Sequence, residues 1–206
     1  MGPVGSDNWL AMLDGAEDVL REEGYAALTS RRIAERVGVK QRLVYYYFKT
    51  MDDLIVETFR RLSVRELERL RAATASEHPL REIWHVCIHT ADARLISEFT
   101  ALANRISALR AEVIKFIEES RRMQVAAITA ALERSNAPGS VPPVAAAIIA
   151  TSVALSVTRE AQLGTTTGHA LVMDVIWRYL HDLEPGNSIS QGIAGAATAT
   201  ARKTAR

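Results

Sequence analysis

Side chains that can donate hydrogen bonds to base edges and to phosphates are concentrated in one segment, GVKQRLVYYYF, at residues 38–48. Arg42 can donate two hydrogen bonds to guanine, and Gln41 can pair with adenine. The hydroxyls of the three consecutive tyrosines that follow can reach phosphate oxygens. Residues of these types at this density indicate a surface that is built to contact a partner.

A helix is the conformation that gives this segment two distinct faces. At about 100° per residue, Val44 and Phe48 fall on one side, four residues apart, and predict core contacts. Arg42 and Tyr46 point the opposite way, while Leu43 lies at the side, where it can meet a thymine methyl group. The alternative is a buried strand, but the run is too short and too basic for one.

The elements that must position this segment are also helical, because a period of three to four residues dominates the whole chain. A first helix is predicted over about 8–23. Thr29 caps a second helix that ends at Val37, and Gly38 separates it from a third helix, which begins near Lys40. Two short helices joined by a glycine-containing turn predict a helix-turn-helix motif.

Positive charge is local to this motif. The formal net charge of the 206-residue chain is only +1, so nothing draws the whole molecule toward nucleic acid. Between Thr29 and Thr50, however, Glu35 is the single acid among six basic residues. The six are Arg31, Arg32, Arg36, Lys40, Arg42 and Lys49. This local excess favours contact with a DNA backbone.

The rest of the chain predicts an all-α fold of about nine helices. A fourth helix starts near Asp52 and Asp53, acids suited to a first turn, and continues toward Ala73. The tail from Glu184 lacks periodicity and predicts disorder; a solvated end is favoured for its basic residues Arg202, Lys203 and Arg206 over a DNA contact. Further helices are predicted over about 80–97, 98–104, 106–135, 142–163 and 168–183, with NAPGSVPP as a linker.

The residues 28–55, LTSRRIAERVGVKQRLVYYYFKTMDDLI, closely resemble the DNA-binding domain of the tetracycline-repressor (TetR) family. The resemblance rests on Thr29, Ile33, Ala34, Gly38, Val39, Tyr45, Phe48 and Leu54 at ungapped spacing. It implies a helix-turn-helix domain over 1–62, an effector-binding and dimerisation domain over 63–184, and a tail over 185–206. It also implies a transcriptional regulator, more often a repressor than an activator.

The resemblance assigns roles to residues of the motif. Thr29 and Ser30 would meet phosphate, and Arg31 a base or the backbone. Lys40, Tyr47 and Met51 depart from the small residue, the histidine and the phosphate-binding lysine that are common at their places. The full set of expected DNA contacts is Thr29, Ser30, Arg31, Lys40, Gln41, Arg42, Leu43, Tyr45, Tyr46, Tyr47 and Lys49.

The C-terminal helices are expected to form a homodimer. The family pairs its last two long helices with those of a second copy, and the helix over 142–163 is apolar nearly all round, with small residues that permit close approach. A twofold dimer would call for a pseudo-palindromic operator. The expected interface residues are Ile148, Thr151, Leu155, Leu171, Val175 and Tyr179.

A small-molecule effector is expected among the central helices, although large apolar residues there are more often packing residues. His85 and His89 lie four residues apart with Cys87 between them, but without a third ligand in spacing they predict polar residues rather than a metal site. We expect neither metal nor cofactor. The candidate effector contacts are Trp84, His85, His89, Phe99, Arg105, Met123 and Trp177.

Several function classes find no support in the chain. There is no phosphate-binding glycine loop, H-E-x-x-H, G-x-S-x-G or dinucleotide fingerprint, so we expect no catalytic residues. A single cysteine and no signal-peptide pattern predict a cytoplasmic protein. The apolar stretch 141–157 is short for a membrane span and begins with two prolines, which favours a buried helix.

One other class stays open at this stage: a helical protein-interaction module that uses the tyrosine face to bind another protein. It would bind without regard to salt and show no preference for DNA. Phosphate contacts, in contrast, make affinity fall steeply as salt rises.

Overall fold

The computed structural model describes residues 3–89, 93–135 and 141–185. This part of the chain holds nine α-helices, one short 3-10 turn at Tyr25–Ala27 and no strand, which confirms the all-α prediction. The helices are α1 (Asp7–Glu22), α2 (Ser30–Val37), α3 (Gln41–Tyr47), α4 (Met51–Thr74), α5 (Pro79–His89), α6 (Ala93–Ala103), α7 (Ser107–Ser135), α8 (Pro143–Gln162) and α9 (His169–Leu183).

The helix-turn-helix forms where the sequence predicts it. The Thr29 hydroxyl accepts a hydrogen bond from the Arg32 amide at 3.1 Å and caps α2. Gly38 ends α2 with φ of 74°, a left-handed conformation that glycine adopts without strain. The next amide, that of Val39, donates to the Ala34 carbonyl at 2.9 Å and closes the turn.

Helix α4 starts with a capping box, in which Thr50 accepts from the Asp53 amide and Asp53 accepts from the Thr50 amide, both at 3.0 Å. It then runs 24 residues and carries Leu54 and Phe59 on its buried side. Phe59 packs edge-on against Phe99 of α6, with ring centroids 5.1 Å apart. Helices α1 to α4 therefore share one hydrophobic core with α6 and the start of α7.

The single helix predicted over 80–97 is wrong. Helix α5 ends at His89 and α6 begins at Ala93, so the short piece predicted at 98–104 is the second half of α6. Both helices pack on α7 and α8, but α5 also packs on α4 whereas α6 also packs on α1.

A second core lies between α5, α7, α8 and α9. Glu184, after the end of α9, is buried and accepts from the amides of Leu80 at 2.9 Å and Arg81 at 3.3 Å. This carboxylate ties the end of α9 to the first turn of α5, where free amides and the helix dipole favour an anion. The predicted linker at 136–140 and the tail, with Arg202, Lys203 and Arg206, lie outside the described residues.

The prediction that α8 is a buried helix is wrong for the single chain. Only Ala147 and Ala154 of its 20 residues are buried. In the described part of the chain α8 is the one helix that is long and apolar enough to cross a membrane by length and composition. A helix that packs in a protein interface has the same composition, and α8 already packs on α5, α6 and α7.

Candidate nucleic-acid interface

Helix α3 is fixed to the core through its inner face. Val44 and Phe48 are buried, as predicted. Phe48 lies one residue past the helix, in an extended conformation, and Trp9 of α1 stacks on it with ring centroids 6.1 Å apart. Trp9 was not among the predicted residues, because its position eight residues into the chain gives no sign of contact with residue 48.

The outer face of α3 is open. Gln41, Arg42, Tyr45 and Tyr46 are exposed, and both tyrosines keep 52% of their surface accessible. Leu43 is only partly accessible, since it packs against the core, so less of its side chain is available to a thymine methyl group than the sequence suggests. Apart from this, the outward orientation that the helical period predicts is confirmed.

The arginines of α2 are partly neutralised by acids of α1. Arg32 donates to Glu23 at 2.7 Å, and Arg36 donates to both carboxylate oxygens of Glu22 at 2.7 Å. The hydrogen bond from Arg36 lowers the pKa of Glu22. A charge count limited to residues 29–50 misses both acids because they lie one helix earlier.

Three cations keep their full charge. Among the residues that the structure describes, no carboxylate forms an ion pair with Lys40, Arg42 or Lys49, and all three side chains are exposed. Lys40 precedes α3, Arg42 lies in its first turn and Lys49 follows it. Arg31 donates to Glu35 at 2.9 Å on the exposed side of α2, where 79% of its side chain stays accessible. The unpaired positive charge is therefore concentrated around α3, which we call the recognition helix, rather than spread over the motif.

Ser30 does not lie at the surface, contrary to the predicted phosphate contact. It is only 5% exposed, because the first turn of α3 covers it. Gln41 Nε2 donates to Ser30 Oγ at 2.8 Å, and Ser30 Oγ donates to the Tyr45 hydroxyl at 3.0 Å. Thr29 remains exposed, although its oxygen already accepts from the amide of Arg32.

Tyr47 is a second correction. It is 8% exposed, and its hydroxyl accepts a hydrogen bond from Ser6 at 3.2 Å. Position 47 lies three residues after Val44 and therefore turns to the core side of a helix, toward α1. Tyr47 is thus part of the support of α3, and its ring backs the exposed ring of Tyr46 edge-on at 5.4 Å.

The start of α4 lies next to this surface. Met51, where the resemblance implies a phosphate-binding lysine, packs against the core. Lys49, exposed two residues before it, is the nearest cation on the chain. Lys49, rather than a residue of α4, is therefore the exposed cation at the end of α3.

The predicted effector residues are not brought together. Trp84 and Phe99 are buried in separate cores. His85, His89, Arg105 and Trp177 are exposed. Only Met123 lines the groove that the structure shows between α4, α5 and α7, with a volume of about 690 Å³. The groove is lined by Thr74, Ser76, Pro79, Met123, Ala126, Ala127, Ala130, Glu133 and Arg134.

The histidine pair of α5 is close, with ring centroids 4.5 Å apart. Burial and the neighbouring charge of His85 lower the pKa of His89. Within the three described ranges, no group of three or more histidine, cysteine, aspartate or glutamate side chains could hold a metal ion.

Four of the six predicted interface residues lie on an exposed apolar surface of α8 and α9, with Leu171 at 74% and Val175 at 59% exposure. The other two, Thr151 and Leu155, are half-buried. The Thr151 hydroxyl donates to Gln124 of α7 at 3.2 Å and so faces the chain's own core. The exposed members are Ile148, Leu171, Val175 and Tyr179.

Residues 12–58, which hold most of α1, all of α2 and α3 and the start of α4, match the profile of the bacterial regulatory proteins of the tetR family. The N-terminal part of the chain is therefore similar to that family. The members of that family are transcriptional regulators and not enzymes.

Individual proteins are similar to this chain, one in part of its sequence and others in fold. The fatty acid metabolism regulator protein of Bacillus subtilis (strain 168) is 30% identical over 74 residues, which span 34% of this chain and 38% of that protein. A TetR transcription regulator from Haloarcula marismortui has a similar fold, with a TM-score of 0.65, 21% identity and coverage of 86% of this chain and 91% of that one. The fatty acid degradation regulator FadR from Bacillus halodurans also has a similar fold, with a TM-score of 0.67 and 16% identity. The match covers 89% of this chain and 98% of that one.

Proposed function

We propose that this chain is a transcriptional repressor of the tetR family that binds a pseudo-palindromic operator as a homodimer and responds to a small molecule. The outer face of α3 is the observation that carries the proposal. It presents Arg42 and Tyr46 to solvent above a buried anchor of Val44 and Phe48. A helix that enters the major groove needs this combination of exposed donors, unpaired positive charge and a fixed inner face.

A second copy of the chain is the partner that the surface of α8 and α9 supports. Large apolar side chains stay exposed along both helices, which is typical of an interface rather than of a water-facing surface. Twofold symmetry lets the same patch serve both copies, and it would place two recognition helices about 34 to 36 Å apart, in successive major grooves. The exposed side chains are Val144, Ile148, Ile149, Leu163, Leu171, Val175, Trp177 and Tyr179.

The groove beside α7 supports the proposal of an effector site within residues 63–184. Met123 and the alanines of α7 make its wall apolar, and Glu133 and Arg134 add charge at one side. Thr74, the last residue of α4, also lines it. A ligand that binds one position of α4 better than another would shift the population of recognition-helix spacings and so release DNA.

Selection of bound duplexes from a random pool tests the operator proposal. We expect enrichment of two inverted half-sites whose centres are one helical turn apart, about 10 to 10.5 base pairs, or a multiple of that. A pool that yields no enriched sequence would overturn the proposal.

The salt dependence of binding distinguishes this proposal from a protein-interaction module. Fluorescence anisotropy with the selected duplex should show log affinity falling linearly with log salt, with a slope of roughly −0.9 for each phosphate contact. The three unpaired cations of each copy, Lys40, Arg42 and Lys49, supply such contacts. Affinity for DNA that is independent of salt would support the other class.

A further inference from the structure

A continuous hydrogen-bond network joins the first turn of α2 to α3 through Ser30, Gln41 and Tyr45. Gln41 Nε2 donates to Ser30 Oγ at 2.8 Å, and Ser30 Oγ donates to the Tyr45 hydroxyl at 3.0 Å. Ser30 is buried while Gln41 and Tyr45 are both exposed. The serine thus lies under two side chains that face the proposed DNA and contacts both.

These two hydrogen bonds determine which group donates and which accepts. A serine hydroxyl carries one proton, so an oxygen that donates to Tyr45 can meet the Gln41 amide nitrogen only as an acceptor. The amide nitrogen of Gln41 is therefore on the inner side, and the carbonyl Oε1 and the second N–H remain for a partner. The phenolic proton of Tyr45 is likewise free to donate outward, as a contact with phosphate requires.

We propose that Ser30 is a positioning residue that holds Gln41 in the orientation for adenine and Tyr45 in the orientation for a phosphate oxygen. The inference rests on the proposed function, because it names the base that the recognition helix selects. Adenine offers an N6 donor and an N7 acceptor in the major groove, which match the carbonyl and the free N–H of Gln41. Guanine offers two acceptors, and cytosine offers only a donor.

The hydrogen bond from Gln41 to Ser30 matters because a freely rotating glutamine side chain discriminates poorly between bases. A glutamine side chain loses up to about 1.5 to 2 kcal/mol of rotamer freedom when it is fixed. Ser30 restricts Gln41 before DNA is bound, so less of that loss falls on the binding step. It also disfavours the flipped amide, which would point the N–H groups outward and match the acceptors of guanine.

Selection from a random duplex pool with matched variants tests the proposal. For the unmodified chain we expect adenine at one position of each half-site, and Gln41→Ala should remove the preference there and nowhere else. Ser30→Ala should relax the same position and lower operator affinity roughly three- to tenfold, the range of one hydrogen bond. Tyr45→Phe should weaken operator and random DNA alike and keep the base preference.

Two controls separate positioning from folding. Ser63→Ala removes a hydroxyl that bonds only to the Arg60 carbonyl of its own helix, and it should leave both base preference and affinity unchanged. Ser30→Thr keeps the hydroxyl and should keep the adenine preference. In a Gln41→Ala background, Ser30→Ala should change base preference no further, which is the coupling expected of a residue that acts through another.

Gln41→Glu gives a further test at an exposed position. Glutamate can only accept, so we expect the selected base to change from adenine to cytosine, whose N4 donates. Guanine or thymine at the position sensitive to Gln41→Ala, or an unchanged base preference in Ser30→Ala, would overturn the inference. Enrichment of no sequence by the unmodified chain would instead overturn the proposed function.

Discussion

At the scale of single residues, the basic side chains near the proposed DNA surface differ in whether an acidic side chain already pairs with them. Arg32 and Arg36 have glutamate partners on α1, whereas Arg42 has no carboxylate partner in the described chain. Exposed ion pairs of this kind add little to stability. Their main effect is to leave the positive charge on α3 rather than on α2.

Arg42→Ala should weaken operator binding by about 1 to 3 kcal/mol and relax the preference at one base position, since a bidentate contact with guanine would be lost. Arg36→Ala is the matched control, because it removes an arginine of the same motif that is bound to Glu22. Gel-shift titration of both variants on the selected operator measures the difference. Equal losses, or an unchanged base preference in Arg42→Ala, would contradict the role of Arg42.

Cys87, the single cysteine of the chain, should be chemically inert in the folded protein. Burial, and secondarily the charge of Glu66, raises its pKa from 9.0 to about 11. The reactive thiolate is thus about a hundredfold scarcer at pH 8 than in an ordinary cysteine. Labelling with a thiol reagent at pH 8 should be slow in buffer and fast in denaturant; rapid labelling of the native protein would contradict this environment.

At the scale of elements, the crossing of α1 over α2 depends on a missing side chain. Gly15 is buried in α1, and a Cβ at this position would lie 2.9 Å from Cγ2 of Val37 on α2. Valine is β-branched and has few other rotamers. The contact distance between the two helices that carry the recognition helix is therefore set by glycine.

Gly15→Ala should destabilise the protein by about 1 kcal/mol. Overpacking costs about 1 to 3 kcal/mol, and the better helix propensity of alanine returns about 0.5 to 1 kcal/mol. Urea denaturation measures the change in the free energy of unfolding. Adding Val37→Ala should relieve the overlap, so the double variant should be more stable than the sum of the two single changes; strict additivity would show that the two positions do not touch.

The helices near the motif could be predicted because residues next to each helix end determine where it begins and stops. Thr29 and Gly38 mark the bounds of α2 by capping and by a left-handed turn, and both operate within one helix. The break between α5 and α6 was missed because neither proline nor glycine marks it, and a helical period continues on both sides. The two helices differ in one partner each, α4 for α5 and α1 for α6, and those partners are set by the tertiary structure.

The sequence predicted which face of α3 points outward, but it did not predict the contacts that α3 makes with neighbouring helices. The period of a helix separates Arg42 and Tyr46 from Val44, and the structure agrees. Which polar residue is covered depends on a neighbouring helix, so the burial of Ser30 and Tyr47 could not be derived from α3 alone. The effector candidates fail for the same reason, since a composition-based choice does not distinguish a core from a cavity.

At the scale of the whole molecule, the recognition helix is coupled to the rest of the chain by a shared core. Leu54 and Phe59 of α4, Phe99 of α6 and Leu109 of α7 belong to the same buried cluster as the helices of the motif. A rotation of α4 would therefore disturb packing on both sides of it. The groove lies beside a separate cluster at the end of α4, which holds Leu70 and Ala73, so α4 itself is the element that joins the groove to the motif.

The proposed dimer face can be tested by a charge placed at its centre. Val175→Glu should convert the protein to a monomer, because two copies of a twofold interface would bury two unpaired carboxylates. Val64→Glu on α4 is the matched control, since Val64 is exposed to a similar extent, 55% against 59%. Analytical ultracentrifugation should show a monomer for the first variant and a dimer for the second.

Loss of the dimer should in turn weaken operator binding by about 10²- to 10⁴-fold while leaving weak binding to single half-sites, because the second recognition helix is no longer held at a high effective concentration. This joint result would tie oligomeric state to DNA affinity through one surface. A Val175→Glu protein that stays dimeric would place the interface elsewhere. A monomeric variant with full operator affinity would show that each chain binds DNA independently, and the requirement for a pseudo-palindrome would then have no structural basis.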